Sequence, residues 1–534
     1  KGENLIESAK RLGINIPHYC YHPKLSVAGN CRMCMVEVEK MPKLTIACNT
    51  GAQEGMVVHT KSKKTVSAQK MVMEFLLINH PLDCPFCDQA GECKLQDYYM
   101  AHGMNGSHFK EEKLHKEKAK RIGQHVVLDQ ERCINCTRCV RFMNEIAKDP
   151  VLGQFERNNR AHIDIMDGKT LDHPYSLNTV EICPVGALTS GDDRFKVRVW
   201  FQKTAKSICP SCSTGCNTYL DYTTRQENKL VRFRSRRNDF INDTWLCDYG
   251  RLSKSIFSES AQKNLIDTGF VKDKDGNLED VSYLTAMKEL ASQLRPYVID
   301  TNGHHLTSNP ISIVGSYTRS NEELFALAQF ASFIHAKTFS LIGRPQGESD
   351  GFLLSADRNP NKNGAEMVSE AFGLPNQGLK GVNENIEAGS SKVIILFGTD
   401  NNSLLENSWK ETLSKAELVI SFSERDSWFH RFSHLIIPLS RFGEYEGSFV
   451  NINGFIQKFE RTSLYAHERH AGWEVLSDLL KAFGNKGFEN VHEVFVQMRE
   501  SLPLLKNQNL DFATLGVRVW AETLDSSAEQ TKHV

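Results

Sequence analysis

The placement of the cysteines constrains this chain more than any other feature. All 15 lie between Cys20 and Cys247 of a 534-residue chain, and none follows. An odd number in close clusters suits metal thiolates better than a disulfide framework, which favours even counts in small secreted chains. The expected setting is a reducing compartment, with a ligand-rich front half and an unrelated rear half. The length allows several domains, each with its own core. Lys plus Arg number 64 against 65 Asp plus Glu, so overall charge gives no case for a nucleic-acid partner. The longest apolar runs, residues 75–78, 393–397 and 435–439, fall far short of the roughly 18 residues of a membrane span.

The cysteines divide into four sets. The first is Cys20, Cys31, Cys34 and Cys48, spaced C-x10-C-x2-C-x13-C, with Gly29 and Asn30 before the close pair. Glycine allows the positive dihedrals of a tight loop whose amide groups turn toward bridging sulfides. One long loop and one distant strand follow plant-type ferredoxin logic, two thiolates for each iron of a [2Fe-2S] centre. The alternation from Met35 to Glu39 reads as the strand leaving the loop. The alternative is zinc on four thiolates, although zinc sites usually show two short pairs and here there is one.

The second set is His80, Cys84, Cys87 and Cys93. Residues 65–79 read as a helix with Val66, Met71, Val72, Phe75 and Leu76 on one face, and Pro81 follows. That helix end presents the imidazole to a thiolate loop. A lone histidine is more often an ordinary polar residue, and zinc with three thiolates and one imidazole has the same spacing. In a [4Fe-4S] cluster, neutral imidazole in place of thiolate reduces the negative charge and raises the potential.

The third set is Cys133, Cys136 and Cys139 in C-x2-C-x2-C, with Cys183-Pro184 later. Two-cluster ferredoxins carry a fourth cysteine four residues on, which ligates the other cluster. Here Met143 stands in that place, and Thr179, Ser176 and His173 stand in the three places before Cys183. A ferredoxin-like pair that has lost these four ligands retains one [4Fe-4S] cluster. The fourth set is Cys209, Cys212, Cys216 and Cys247, with Gly215 as a flexible loop position and alternating strand and turn over residues 219–233. It reads as a third [4Fe-4S] cluster, with structural zinc as the alternative. The four sets use every cysteine.

The order of these motifs, together with Asn178-Thr179-Val180-Glu181-Ile182-Cys183-Pro184-Val185-Gly186-Ala187-Leu188, resembles the large iron-sulfur subunit of respiratory complex I, the bacterial G or 75 kDa subunit of NADH:quinone oxidoreductase. The resemblance covers about residues 1–255. It implies electron relay from the NADH-oxidising flavoprotein subunit into the [2Fe-2S] centre, across the Cys133 cluster to the His80 cluster, and on to cluster-bearing subunits that reduce quinone. The fourth cluster, found in only some bacterial members, would lie off that route. The implied location is the peripheral arm, on the cytoplasmic side of the inner membrane, with no span of its own.

The expected fold is multidomain α+β and α/β. A [2Fe-2S] ferredoxin-type domain over 1–63 is followed by a one-histidine three-cysteine domain over 64–106, a ferredoxin-like [4Fe-4S] domain over 122–203 and a [4Fe-4S] cap over 204–255. The chain opens at Lys1-Gly2-Glu3-Asn4-Leu5 within what reads as the first helix, so the preceding hairpin is missing and the sequence is expected to be a fragment. The charge run over residues 110–121 reads as a solvated linker or helix face.

From residue 256 strands alternate with helices: 311–315 before a helix at 322–336, then 393–397 before one at 408–415, then 418–422. This predicts a parallel sheet covered on both faces. The stretches 434–438, 444–451 and 454–457 resemble the molybdopterin oxidoreductase fold, which complex I retains without the cofactor. No cysteine follows Cys247, and Tyr249 stands where such enzymes usually carry a lysine, so no molybdenum cofactor is expected. Gly315 and Gly398 end strands and are ordinarily turns, with a phosphate site as the minor reading. Two rival functions remain: the electron-input subunit of an NAD-linked hydrogenase or formate dehydrogenase, and a zinc-stabilised scaffold without redox chemistry.

Overall fold

The structure is a computed structural model that describes residues 2–103, 106–225, 229–253, 264–307, 309–399, 409–462, 468–506 and 516–519. The chain divides into two units. One is Lys1–Lys203 with Trp245–Arg251, and the other is Thr204–Thr244 with Leu252–Val534. Among the described residues no helix is long and apolar enough to cross a membrane.

The first unit starts with helix α1 (Leu5–Arg11). Asn4 caps it by accepting from Glu7 N, and Lys10 and Arg11 complement the dipole of its last turn. Strand β1 (Met35–Val38) is the centre of a small antiparallel sheet between β2 (Thr45–Ile46) and β3 (Val58–His59). Val36 and Val38 face inward with Leu5, Ile6, Ile16 and the thiols of Cys34 and Cys48. Cys48 sits in a 3-10 turn directly after β2 rather than on a strand.

Helix α2 (Lys63–Leu77) lies where the periodicity predicts, capped by Ser62, but its buried face differs. Thr65, Gln69, Val72 and Met73 are buried, whereas Met71 and Phe75 are exposed. The polar pair is buried because its hydrogen bonds are made: Thr65 Oγ1 donates to His59 O and Gln69 Nε2 to Met35 O. Helix α3 (Lys94–His102) follows the last cysteine of the second set.

The ferredoxin-like part consists of β4 (Lys120–Arg121) and β8 (Leu188–Ser190) on either side of β5 (Val126–Leu128), a hairpin of β6 (Leu152–Phe155) and β7 (His162–Ile165), and helices α4 (Arg138–Glu145) and α5 (Leu177–Ile182). The charge run over 110–121 is not a helix. Lys113 Nζ donates to the Leu77 and Ile78 carbonyls at 2.7 and 2.8 Å, Lys118 pairs with Asp83 and Glu131, and Lys120 pairs with Asp164. The run is a largely exposed linker, as the solvated reading expects, and these lysines tie it to the end of α2 and to acceptors on distant segments.

In the second unit, three antiparallel strands, β9 (Lys203–Ile208), β10 (Asn217–Thr223) and β11 (Lys229–Ser235), precede a seven-stranded sheet. Five of the seven are parallel: β14 (Asn309–Ser316), β15 (Ala336–Ile342), β16 (Val393–Phe397), β17 (Leu418–Ser423) and β18 (Leu435–Pro438), in the order β18-β17-β16-β14-β15. Antiparallel β12 (Gly269–Lys272) and β13 (Leu278–Val281) extend the β18 edge. Val314, Ile394, Leu396 and Val419 pack against residues of Gly378–Glu387 and Lys410–Lys415 on one face. Of the expected 408–415 helix, Ser408 lies outside the described residues.

On the other face, Gly315 lies beneath Asn321–Phe333. A Cβ on Gly315 would approach Leu327 to 2.9 Å and Leu341 to 3.1 Å, so this glycine is needed for packing and does not form a phosphate turn. Gly398 does turn, at φ +64°, but the Arg319 side chain covers it, paired with Glu424 and Glu323. The crevice between β14 and β16, where such sheets usually take ligands, is occupied by this ion network.

Candidate metal centres

The first cysteine loop bends at Gly29 (φ +62°) and again at Arg32, a non-glycine residue at φ +58°. Its four thiols form two hydrogen-bonded pairs. Cys31 donates to Cys20, whose pKa is held down to about 5, while the donor is pushed up. Cys34 and Cys48 form the second pair, with Cys34 lowered and Cys48 raised by their shared bond. Two pairs of thiols side by side fit a two-iron centre with two ligands on each iron.

His80 lies just beyond α2, in the segment that Lys113 ties to the helix end, and Leu114 N donates to Asn79 Oδ1 at 3.1 Å. Burial, with Lys113, Arg132 and Lys118 nearby, holds its pKa down to about 4, so the imidazole is neutral with a free lone pair. Its Nδ1 is buried without a hydrogen-bond partner. His80, Cys84, Cys87 and Cys93 all line one cavity of about 430 Å³. An orphaned ring nitrogen and three thiols around one space fit a cluster held by one imidazole and three thiolates. Burial raises Cys87 and pushes Cys93 up to about 11.

The third set lies deeper. The loop crosses the left-handed region at Asn135 (φ +51°) and Thr137 (φ +59°), between the cysteines, and runs into α4 at Arg138. Cys133, Cys136, Cys139 and Cys183 line a small apolar cavity with Leu128, Ile134 and Ile163. Burial raises all four thiols, Cys133 to about 12 and Cys183 to about 11.

Other side chains stand at the positions that a second cluster's ligands would take in a two-cluster ferredoxin. Met143 and Thr179 are fully buried, and Ser176 Oγ donates to Asp248 at 2.7 Å. Asn178 exchanges hydrogen bonds with the backbone of Leu246, and Trp245 packs on Phe142 at 4.8 Å between ring centroids. The segment carrying Cys247 is thus anchored on the helix that precedes Cys183.

These three sets share one core. Tyr19, Met33, Val72, Met73, Cys93, Leu95, Tyr98, Val185 and Ala187 form it, with Cys31, Cys133 and Cys183 packed against it. Gly186 bears directly on the Cys87 sulfur, leaving no room for a Cβ.

The fourth set is divided between the units: Cys209, Cys212 and Cys216 belong to the second and Cys247 to the first. The loop of three turns at Gly215 (φ +64°) and is cradled by the rear half. Gln457 Nε2 donates to Gly215 O at 2.9 Å, Asn451 Nδ2 to Thr214 O at 3.0 Å and Arg344 to Pro210 O at 2.9 Å. Burial pushes Cys209 up to about 11. Asn451 and Gln457 stand out in the sequence only through a fold resemblance, and their hold on this loop carries no local signal. The same is true of Lys113, Arg138, Arg141 and Gly186, although two basic residues within and just after C-x2-C-x2-C are a hint of charge near the thiols.

Comparison with known proteins adds three family matches. Residues 1–63 match a 2Fe-2S iron-sulfur cluster binding domain, 69–108 the NADH-ubiquinone oxidoreductase-G iron-sulfur binding region, and 123–189 the ferredoxin-like domain of NADH-quinone oxidoreductase subunit 3. The G subunit of NADH-quinone oxidoreductase from Streptomyces coelicolor is 41% identical over 296 residues, which is 55% of this chain and 34% of that protein. The mitochondrial NADH-ubiquinone oxidoreductase 78 kDa subunit of Neurospora crassa is 36% identical over 402 residues, 75% of this chain and 49% of that one. The chain therefore spans between about a third and a half of the length of these relatives. A solved chain of an NAD+-reducing [NiFe]-hydrogenase is 31% identical over 37% of this chain and 84% of its own, with a TM-score of 0.34 that carries no weight for the fold.

Proposed function

Because the chain is a homologue of the G and 78 kDa iron-sulfur subunits of NADH-quinone oxidoreductase, we propose that it relays electrons from an NADH-oxidising flavoprotein toward quinone-reducing subunits in the peripheral arm of a membrane-bound complex. Cys20, Cys31, Cys34 and Cys48 hold a [2Fe-2S] cluster. His80 with Cys84, Cys87 and Cys93, Cys133 with Cys136, Cys139 and Cys183, and Cys209 with Cys212, Cys216 and Cys247 each hold a [4Fe-4S] cluster. When bound, such clusters supply reversible one-electron transfer with little change of shape.

The protein's part is to supply ligands and set their surroundings. The observation that carries the reading is the common core against which three of the sets pack, with the Cys133 set touching the surroundings of the other two. Most of the thiols are buried or half-buried, Cys84 is exposed, and the neutral His80 imidazole lowers the negative charge of its set. The domain boundaries at about 63, 106, 122, 203 and 255 follow from the same reading, as does a rear half built on the molybdopterin oxidoreductase plan without its cofactor.

In the assembled complex, NADH should reduce the clusters of the first three sets. Cys209→Ala should remove one cluster and leave transfer from NADH to quinone within about twofold of the wild type. Abolished transfer in a folded variant would place the fourth set on the main route.

A further inference from the structure

Two arginines tie the first cysteine loop to the third. Arg141 Nη2 donates to the Cys20 carbonyl at 2.6 Å and to the Cys136 carbonyl at 3.2 Å, so one nitrogen bridges a ligand residue of each set. Its Nη1 reaches Ser26 O in the same loop. Arg138, 5% exposed, donates to Tyr21 O through one nitrogen and to Ile182 O, next to Cys183, at 3.1 Å through the other. Asn30 Nδ2 adds a bond to Asn135 O at 3.0 Å.

The charges are unusual for their position. Arg138 opens α4, where the helix dipole favours an anion, and its Nε is buried without a partner. The acceptors of both guanidinium groups are backbone carbonyls and one hydroxyl, not carboxylates. A buried cation needs compensating negative charge. Burial works against the Arg138 cation and so does the neighbouring Arg141, while the thiols of Cys136, Cys183 and Cys20, drawn from both sets, favour it.

We infer that Arg138 and Arg141 form a guanidinium bridge between the first and third cysteine sets, fixing the gap across which an electron passes and favouring the reduced state on both sides. The inference rests on the proposed cluster assignment and adds two positioning residues to it. One electron leaves one set as the other gains it. The fixed positive charge stabilises whichever side is more negative, and no proton is needed.

The test is Arg141→Met, with Arg141→Lys as its partner, in the anaerobically prepared full chain. Iron and sulfide content, midpoint potentials by EPR titration, and magnetic coupling between the two centres when both are reduced are compared with the wild type. The bridge predicts that R141M keeps its iron but shifts both potentials downward and alters the coupling. R141K keeps the charge but lacks the fork, so its potentials should recover while the altered coupling remains. Loss of iron from either of these two sets in R141M overturns the bridge and assigns Arg141 to cluster retention. Unchanged potentials and coupling in R141M overturn it while leaving the cluster assignment standing. Should R141M not fold, unchanged coupling in R141K overturns it. A wild-type chain without iron overturns both.

Discussion

At His80 the protonation state is decided by surroundings that lie far off in the chain. Burial and three cations hold the ring neutral, its Nδ1 is buried without a hydrogen-bond partner, and the residue lines a cavity with three cysteines. His80→Cys should keep the cluster but add a negative charge. Its midpoint potential in an EPR titration should fall by on the order of 100 mV, the scale on which His-for-Cys exchange moves [2Fe-2S] centres. An unmoved potential would remove His80 from the ligand set. The residue was legible in the sequence because Pro81 ends the helix beside it and three cysteines follow at short spacing. Lys113, Arg138 and Arg141 were not legible. Each acts on segments that are distant in the chain, and a hydrogen bond from a side chain to a remote carbonyl leaves no pattern around either partner.

Among the elements, the strands of the rear sheet were readable as apolar runs and the helices from their place between them. Strand Val393–Phe397 falls where its apolar run predicts, and Asn321–Phe333 starts at Ser320 with a complete capping box. The exposed face of α2 shows where periodicity fails: Thr65 and Gln69 are buried by hydrogen bonds, and two large apolar residues are left outside. The turn between α5 and β8 shows a different limit. Gly186 enters the sequence reading only as one residue of the stretch that carries the resemblance, and its constraint comes from the Cys87 sulfur packed against it. Gly186→Ala should cost about 1–3 kcal/mol by overpacking and push Cys87 from its place. The measurable result is selective loss of the His80-set EPR signal, with the Cys133-set signal retained. Full retention of both would show that the contact is slack.

Across the whole molecule, the parallel strands of the seven-stranded sheet were legible in the sequence, and the grouping of the 15 cysteines by spacing is the basis of the proposed four sets. The division of the fourth set between units was not, because spacing does not show that Trp245–Arg251 belongs with the first unit. That segment is held by Asn178, Ser176 and Glu181, residues with no thiol chemistry of their own. The proposed electron relay depends throughout on what the thiols and one imidazole grip. Iron and acid-labile sulfide determined on the anaerobically prepared chain test that most directly. The cluster assignment predicts about fourteen iron atoms per chain, with matching sulfide and paramagnetic signals after dithionite. Stoichiometric zinc without sulfide, in a colourless and EPR-silent protein, would contradict it.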